Sequence, residues 1–187
     1  VGKDAMLWNR AQALGMTVGI FAVPTITKPL VLDGFSVAGS GAGSSSKKSE
    51  NSFVYPADLF SGRSPENLDL DFRYGYGAFL PKDIGHLERY ANSHLALYFY
   101  ELDVALRRRP VDMLFLGTRF ITEMAYKFTG LIEKECLDDS EHELKRLVLD
   151  LCERFDEMLD RFIDTVAPDS TFIVSDHGLG PYVHSVN

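Results

Sequence analysis

The sequence predicts an α/β fold in which a mostly parallel sheet is flanked by helices on both faces. Three short apolar runs, at residues 16–24, 111–117 and 171–175, have the length of buried strands. Helical patterns separate these runs, and strands that alternate with helices favour parallel pairing. The length of 187 residues suits one domain. Because the chain begins Val1-Gly2 without a methionine, we expect residues 1–187 to be one partial domain, a central fragment of a longer polypeptide.

The composition excludes several classes of function. It is 45% hydrophobic and 25% charged, as in ordinary globular proteins, and the net charge of −8 argues against a nucleic-acid polymer as partner. No apolar run reaches the roughly 18 residues that cross a bilayer, so we expect no membrane partner. Cys136 and Cys152 lack zinc-type spacing and are expected to be reduced thiols. A cytoplasmic location is the default expectation, although targeting signals would be lost with missing ends, and the oligomeric state is open.

The first elements are a helix and a strand. Residues 4–15 carry apolar side chains at helical spacing and end at Gly15, which is typical of a helix C-terminus. The apolar run 16–24 stops at Pro24 and is predicted as a buried strand. Residues 39–52, GSGAGSSSKKSENS, fit neither the P-loop nor the dinucleotide-binding glycine pattern. We expect a flexible surface loop there, with a loop over an active site as the alternative.

A long helix is predicted over residues 81–109. Pro81 suits its first turn, and the arginines at 107–109 suit its C-terminal end, where positive charge interacts favourably with the helix dipole. Phosphate binding by these arginines is a minor alternative. His86 and His94 lie eight residues apart on this helix, and we expect surface or packing roles for both.

The second half of the chain repeats the alternation of strand and helix. The run 111–117 is a predicted strand, and a helix follows from Arg119. Residues 141–167 form an amphipathic helix that Pro168 ends; its apolar stripe contains Leu144, Leu147, Val148, Leu151, Phe155, Leu159, Phe162 and Ile163. The apolar run 171–175 is the third predicted strand, and it leads directly into Asp176-His177-Gly178.

The chemistry of Asp176 and His177 indicates a metal site. Ligands in open α/β sheets lie beyond the carboxyl ends of the strands, and Asp and neutral His are good ligands for zinc and related divalent ions. Gly178 permits the turn that lets both side chains reach one ion. The alternative is a simple turn in which both side chains only make hydrogen bonds.

The motif SDHG, followed by LGP and VN, resembles the alkaline phosphatase superfamily, and within it the type I phosphodiesterase and nucleotide pyrophosphatase branch. The segments WNRAQALGMTVGIFAVPTITKP, DGFSVAGSG, YPADL and the helix before SDHG are similar to that branch in the same order. The resemblance implies a bimetal hydrolase that uses a Thr or Ser nucleophile. One ion would be held by Asp176, His177 and an upstream Asp, and the second by an Asp-x-x-x-His pair and a distal His.

This chain departs from the pattern of the family at two places. The upstream Asp and the nucleophile are expected before residue 1, and the distal His after Asn187, so this chain alone is expected to be inactive. Aligned on Thr118, the Asp-x-x-x-His pair becomes Arg119 and Glu123. Arg119 has no acceptor and does not bind metals, whereas Glu123 remains a candidate ligand.

Three interpretations of this departure stay open. Arg119 replaces the second ion as a phosphate clamp, the site is degenerate and only binds, or the alignment slips and the ligands come from elsewhere. An ordinary i, i+4 ion pair between Arg119 and Glu123 is compatible with all three. His184 is a candidate substrate contact.

The sequence therefore predicts a metal-dependent hydrolase of phosphate mono- or diesters that acts on a small phosphorylated substrate. The expected cofactor is one or two divalent ions, zinc or alternatively manganese. The alternative is a non-catalytic member of the family that binds a phosphorylated or sulfated ligand. The sequence does not distinguish phosphate from sulfate esters.

Overall fold

The computed structural model describes residues 6–24, 26–39, 53–60 and 84–175. The chain divides into two compact units, the first made of Val1–Asp71 and Tyr100–Arg119 and the second of Phe72–Phe99 and Phe120–Asn187. The expectation of a single domain stays a prediction. The described elements are, in chain order, α1 (Leu7–Ala13), β1 (Val18–Val23), β2 (Gly34–Ala38), β3 (Val54–Tyr55), α2 (Ile84–Arg108), β4 (Met113–Leu116), α3 (Phe120–Ile132) and α4 (Asp139–Val166).

The first unit contains a four-stranded mixed sheet with the strand order β3-β2-β1-β4. β1 lies between β2 and β4 and is parallel to both, while the two-residue strand β3 runs antiparallel to β2. The prediction of an α/β fold with a mostly parallel sheet is confirmed at this level. Because three parallel strands lie side by side, their carboxyl ends meet at one edge of the sheet.

The predicted helix and strand at the start of the chain are both present. α1 ends at Ala13, two residues before Gly15, whose φ of +81° continues the chain in the left-handed conformation that favours glycine after a helix. β1 is buried along almost its whole length. It ends at Val23, because the proline that follows has no N–H to donate to the sheet.

One face of the sheet packs against α1. Trp8 meets Phe115 of β4 edge-to-face, with ring centroids 5.6 Å apart. The same cluster contains Val18 and Ile20 of β1, which alternate along the strand and so point to the same face. Because alternate side chains of β1 point to the face that α1 covers, β1 and α1 share one apolar cluster.

The core of the second unit is formed by helices. The first half of α2, α3 and α4 share an apolar cluster whose buried members are Leu87, Ala91, Leu95, Phe120, Met124, Phe128, Leu131, Leu144, Val148 and Leu151. The N-terminal part of the stripe predicted along α4 is therefore confirmed as core, while Leu159, Phe162 and Ile163 are half-buried. Asp138 caps α4 by accepting from the Glu141 N–H at 2.9 Å, while the Glu141 side chain accepts from the Asp138 N–H at 3.1 Å. This reciprocal box satisfies backbone donors that the first turn would leave unpaired.

The prediction of a buried strand at 171–175 is wrong. These residues form no strand, and Phe172, Ile173 and Val174 are 87%, 80% and 88% exposed. In the described residues, β1 and β4 share the sheet with β2 and β3, which the sequence did not predict. High apolar content and β-branching do not make a strand by themselves, since a strand is stabilised by a neighbouring strand and by packing on its faces.

Candidate functional site

The carboxyl ends of β1, β2 and β4 form the candidate site in the first unit. Hydrogen bonds between their ends hold the three strands together. The N–H of Gly117, which follows β4, donates to the Phe21 carbonyl at 2.9 Å. The N–H of Gly39, which follows β2, donates to the Ile26 carbonyl at 2.8 Å. Ligands of open α/β sheets bind at such an edge, because the loops that leave the strands converge there.

Arg119 lies at this edge, two residues beyond Gly117. Gly117, Thr118 and Arg119 form the short connection that leaves β4, and all three are half-buried. A guanidinium carries a fixed positive charge and five N–H donors in a planar fork, which matches the oxygens of a phosphate or sulfate group. The sequence-based placement of Arg119 just after β4 therefore agrees with its position in the fold.

Glu123 belongs to the second unit and lies in the first turn of α3, where its negative charge suits the helix dipole. Its side chain is buried. Burial lowers the pKa of Lys127, one turn further along α3, and the nearby charge of Glu123 opposes that change. The positive charge of Lys127 therefore offsets part of the negative charge of Glu123. Such an environment is as typical of a structural carboxylate as of a metal ligand.

The other predicted site residues, Asp176, His177 and His184, lie outside the described residues, as does the predicted loop at 39–52 apart from Gly39. Within residues 6–24, 26–39, 53–60 and 84–175, no three His, Cys, Asp or Glu side chains are grouped as metal ligands would be. Of the predicted metal ligands, Glu123 alone lies in the described part of the chain, and a divalent ion there would depend on Asp176 and His177 as well.

The amino ends of the strands carry a different polar cluster. Asp112, just before β4, accepts from both the N–H and the hydroxyl of Thr17 through Oδ2, each at 2.8 Å. In return the Asp112 N–H donates to Thr17 Oγ1 at 2.9 Å. These bonds to Thr17 lower the pKa of Asp112. They join β1 and β4 at the edge opposite the candidate site, so Asp112 has a structural role.

The arginines at the end of α2 also make structural contacts. The Arg108 guanidinium donates to the carbonyls of Asp58 and Leu59 at 3.2 and 3.0 Å. Arg107 pairs with Asp103, one turn earlier on the same helix, at 2.8 Å. These contacts agree with the helix-end interpretation and leave the phosphate alternative without support from the geometry.

The two histidines of α2 differ in environment. His86 is exposed and stacks on Tyr90, with ring centroids 6.4 Å apart. His94 is buried, and its ring lies nearly parallel to that of Phe120 at 6.4 Å. A surface role for His86 and a packing role for His94 are therefore confirmed.

Sequence reasoning missed the backbone features that build the edge. Glycine follows β2 in the segment VAG and β4 in the segment FLG, and proline follows β1 in AVP. A glycine or proline immediately after each of three apolar runs is a recognisable signal for strand ends that approach one another closely.

Comparisons with protein-family models, with curated proteins and with solved structures found no match to this chain. None of the described helices combines the length and the apolar character that crossing a lipid bilayer requires.

Proposed function

We propose that the protein is a metal-dependent hydrolase of phosphate mono- or diesters, with a fold of the alkaline phosphatase type. The observation that carries the proposal is the position of Arg119, which follows β4 at the edge where three parallel strands end. The SDHG motif supports it from the sequence, because Asp176 and His177 are the residue types that bind zinc or manganese.

Arg119 would hold the phosphoryl group of the substrate. The net charge of −8 disfavours the approach of a phosphate to most of the surface, so a local positive charge is needed to bind one. The guanidinium stays protonated and can donate two parallel N–H bonds to a pair of phosphoryl oxygens. It would thereby neutralise charge at the place where the resembled family uses a second metal ion.

Asp176 and His177 would hold one divalent ion, with Glu123 as a candidate third ligand and His184 as a substrate contact. When bound, such an ion polarises a phosphoryl oxygen and helps to ionise a nearby nucleophile. The nucleophile itself is expected outside this chain. Under this proposal, Arg119 binds and orients the substrate.

A second candidate function is binding of a phosphorylated or sulfated ligand without catalysis. The positive charge of Lys127, one turn from Glu123 on α3, favours it, because a buried carboxylate whose charge is partly offset is a weaker metal ligand. Arg119 would then recognise the anion in the same way. The two functions differ in turnover and in their dependence on metal.

The test is to compare hydrolysis and binding in the full-length protein supplied with zinc or manganese. The substrates are p-nitrophenyl phosphate and bis(p-nitrophenyl) phosphate, and inorganic phosphate is the binding probe. Arg119→Met should weaken phosphate binding about ten- to a hundred-fold, since hydrogen bonds to charged groups contribute about 1.5–3 kcal/mol each. Arg119→Lys should lie between this variant and the wild type, because it keeps the charge and loses the fork.

Arg107→Met is the matched control, because Arg107 is exposed on α2 and pairs with Asp103. It should leave both readouts unchanged. Hydrolysis that disappears in the double variant Asp176→Ala/His177→Ala supports the enzyme. Phosphate binding that needs Arg119 without any turnover supports the binding protein, and the absence of both refutes the two functions together.

A further inference from the structure

β1 contains one extra residue near its carboxyl end. Phe21 pairs with Val37 and Val23 pairs with Ala38, so Ala22 has no partner on β2 and forms a bulge. Its φ of +54° lies in the left-handed region, which residues other than glycine rarely adopt. Bulges occur often beside functional sites, where they redirect the chain, and a strained residue there persists only if its surroundings enforce it.

The surroundings that enforce this conformation are the two glycines at the ends of the neighbouring strands. A Cβ atom on Gly39 would lie 2.0 Å from the Val23 carbonyl oxygen, and one on Gly117 would lie 2.4 Å from Val23 Cα and 2.8 Å from the Ala22 carbonyl oxygen. Backbone therefore packs directly on backbone from both sides. The hydrogen bonds from the Gly117 N–H to the Phe21 carbonyl and from the Gly39 N–H to the Ile26 carbonyl further restrain this backbone.

The bulge also decides where the chain leaves the sheet. Without it, alternation would point Val23 to the face opposite Val18 and Ile20; with it, Val23 joins these two residues in the cluster against α1. Ile26 is buried in the same cluster, and its N–H donates to the Val23 carbonyl at 3.3 Å. We call Ala22, Val23, Pro24 and Ile26 the β1 exit.

We propose that Ala22 is a positioning residue, whose left-handed bulge fixes the β1 exit as a rigid wall beside the connection that carries Arg119. Gly117 links the two features, because it touches the β1 exit and begins that connection. The phosphoryl group held by Arg119 would then lie against backbone that cannot move away. This inference rests on the proposed function, since it assigns the wall to the phosphate site.

The substitution that tests it is Ala22→Gly. Glycine adopts the left-handed conformation without strain, so the native state keeps its hydrogen bonds and is relieved of strain. Glycine also gives the unfolded chain more conformational freedom, which lowers stability and so opposes the first effect. Because glycine also reaches backbone conformations that the Cβ of alanine forbids, residue 22 can move over a wider range and the β1 exit becomes less rigid. Ala105→Gly is the matched control, because Ala105 is a buried alanine of the same unit with an ordinary negative φ, and it lies in α2 and not at the edge that forms the candidate site.

The experiment measures kcat and KM of the full-length protein on bis(p-nitrophenyl) phosphate, together with hydrogen exchange in peptides that contain Gly39 and Gly117. In Ala22→Gly we expect kcat to fall about tenfold or more with a smaller change in KM, because misplacement by about 1 Å can cost up to a hundredfold in rate. We also expect faster exchange in both peptides. Ala105→Gly should keep the wild-type kcat.

An unchanged kcat in Ala22→Gly overturns the positioning role if the wild type is active. If the wild type neither hydrolyses the ester nor binds inorganic phosphate, the proposed function has failed. Hydrogen exchange then tests only whether the bulge at Ala22 makes the β1 exit rigid. Faster exchange in Ala22→Gly then supports the rigid β1 exit, and unchanged exchange in both peptides refutes it.

Discussion

Gly117→Ala should destabilise the protein through contacts with backbone that has no room to retreat. The new Cβ would lie 2.4 Å from Val23 Cα, 2.6 Å from Pro24 Cδ and 2.8 Å from the Ala22 carbonyl oxygen. Carbon atoms in contact normally lie about 3.5–4.0 Å apart, so the strand ends must separate by about 1 Å. Separation strains the Gly117 N–H bond to Phe21, which holds the two strands together at this point.

The magnitude follows from the stiffness of these contacts. Overpacking a well-packed site costs about 1–3 kcal/mol, and we expect the upper half of that range because two of the three atoms are backbone. In a chain of this length about 1 kcal/mol lowers Tm by about 2–4 °C, so a loss of about 2–3 kcal/mol lowers Tm by about 4–12 °C. Thermal unfolding followed by circular dichroism, with urea titration for the free energy of unfolding, measures the effect.

Gly130→Ala is the control with the opposite expected sign. Gly130 lies within α3, and a Cβ there would meet no atom within 4 Å. Alanine in a helix is favoured over glycine by about 0.5–1 kcal/mol, so this variant should be slightly more stable than the wild type. The reasoning is refuted if Gly117→Ala keeps the wild-type Tm, or if both variants lose stability equally.

Two further substitutions test the helical core of the second unit and the hydrogen bonds between Asp112 and Thr17. Phe120→Ala removes a fully buried ring from the helical core and should cost about 3–5 kcal/mol in urea unfolding, whereas Leu149→Ala, which is 47% exposed on α4, should stay within about 0.5 kcal/mol of the wild type. The bonds from Thr17 lower the pKa of Asp112, so its stabilising contribution is complete above the unfolded-state pKa of about 3.9 and is lost as the pH falls through the lower folded-state value. Asp112→Asn should therefore have a lower urea midpoint at neutral pH and a smaller loss below about pH 4; parallel pH profiles of the two proteins would contradict this.

Local patterns predicted the helices, and they predicted the two strands that are followed directly by a proline or a glycine. β1 is an apolar run followed by proline, and β4 is an apolar run followed by glycine, so their ends could be located from the sequence. The stripe of α4 follows the helical period from Leu144 to Ile163, which makes it the most regular signal in the chain. The helical pattern is local, whereas β1 and β4 are stabilised by pairing with each other and were predicted only because their composition and stop signals are clear.

β2 was missed because a polar side chain lies at its centre. The segment GFSVA carries a serine at its centre, and a polar residue there argues against a buried strand. In the fold Ser36 is fully buried, and its hydroxyl oxygen accepts from the Leu30 N–H at 3.1 Å. That bond satisfies the buried hydroxyl, and no sequence pattern reveals it.

Residues 171–175 show the converse error. Their composition favours a strand, but strand formation requires a ladder partner, and the described residues of the second unit are helical. At the candidate site, the position of Arg119 followed from the strand before it. The bulge at Ala22 did not, because alanine gives no local signal for a left-handed conformation that neighbouring strands impose.

The most direct test of the proposed function is the metal content of the full-length protein, measured by mass spectrometry after zinc or manganese is supplied at neutral pH and free metal is removed. If Arg119 stands where the resembled family holds a second ion, the protein should retain about one ion per chain. Asp176→Ala/His177→Ala should lose that ion, and Arg119→Met should keep it while binding phosphate more weakly. A protein that retains no metal under these conditions would contradict the account.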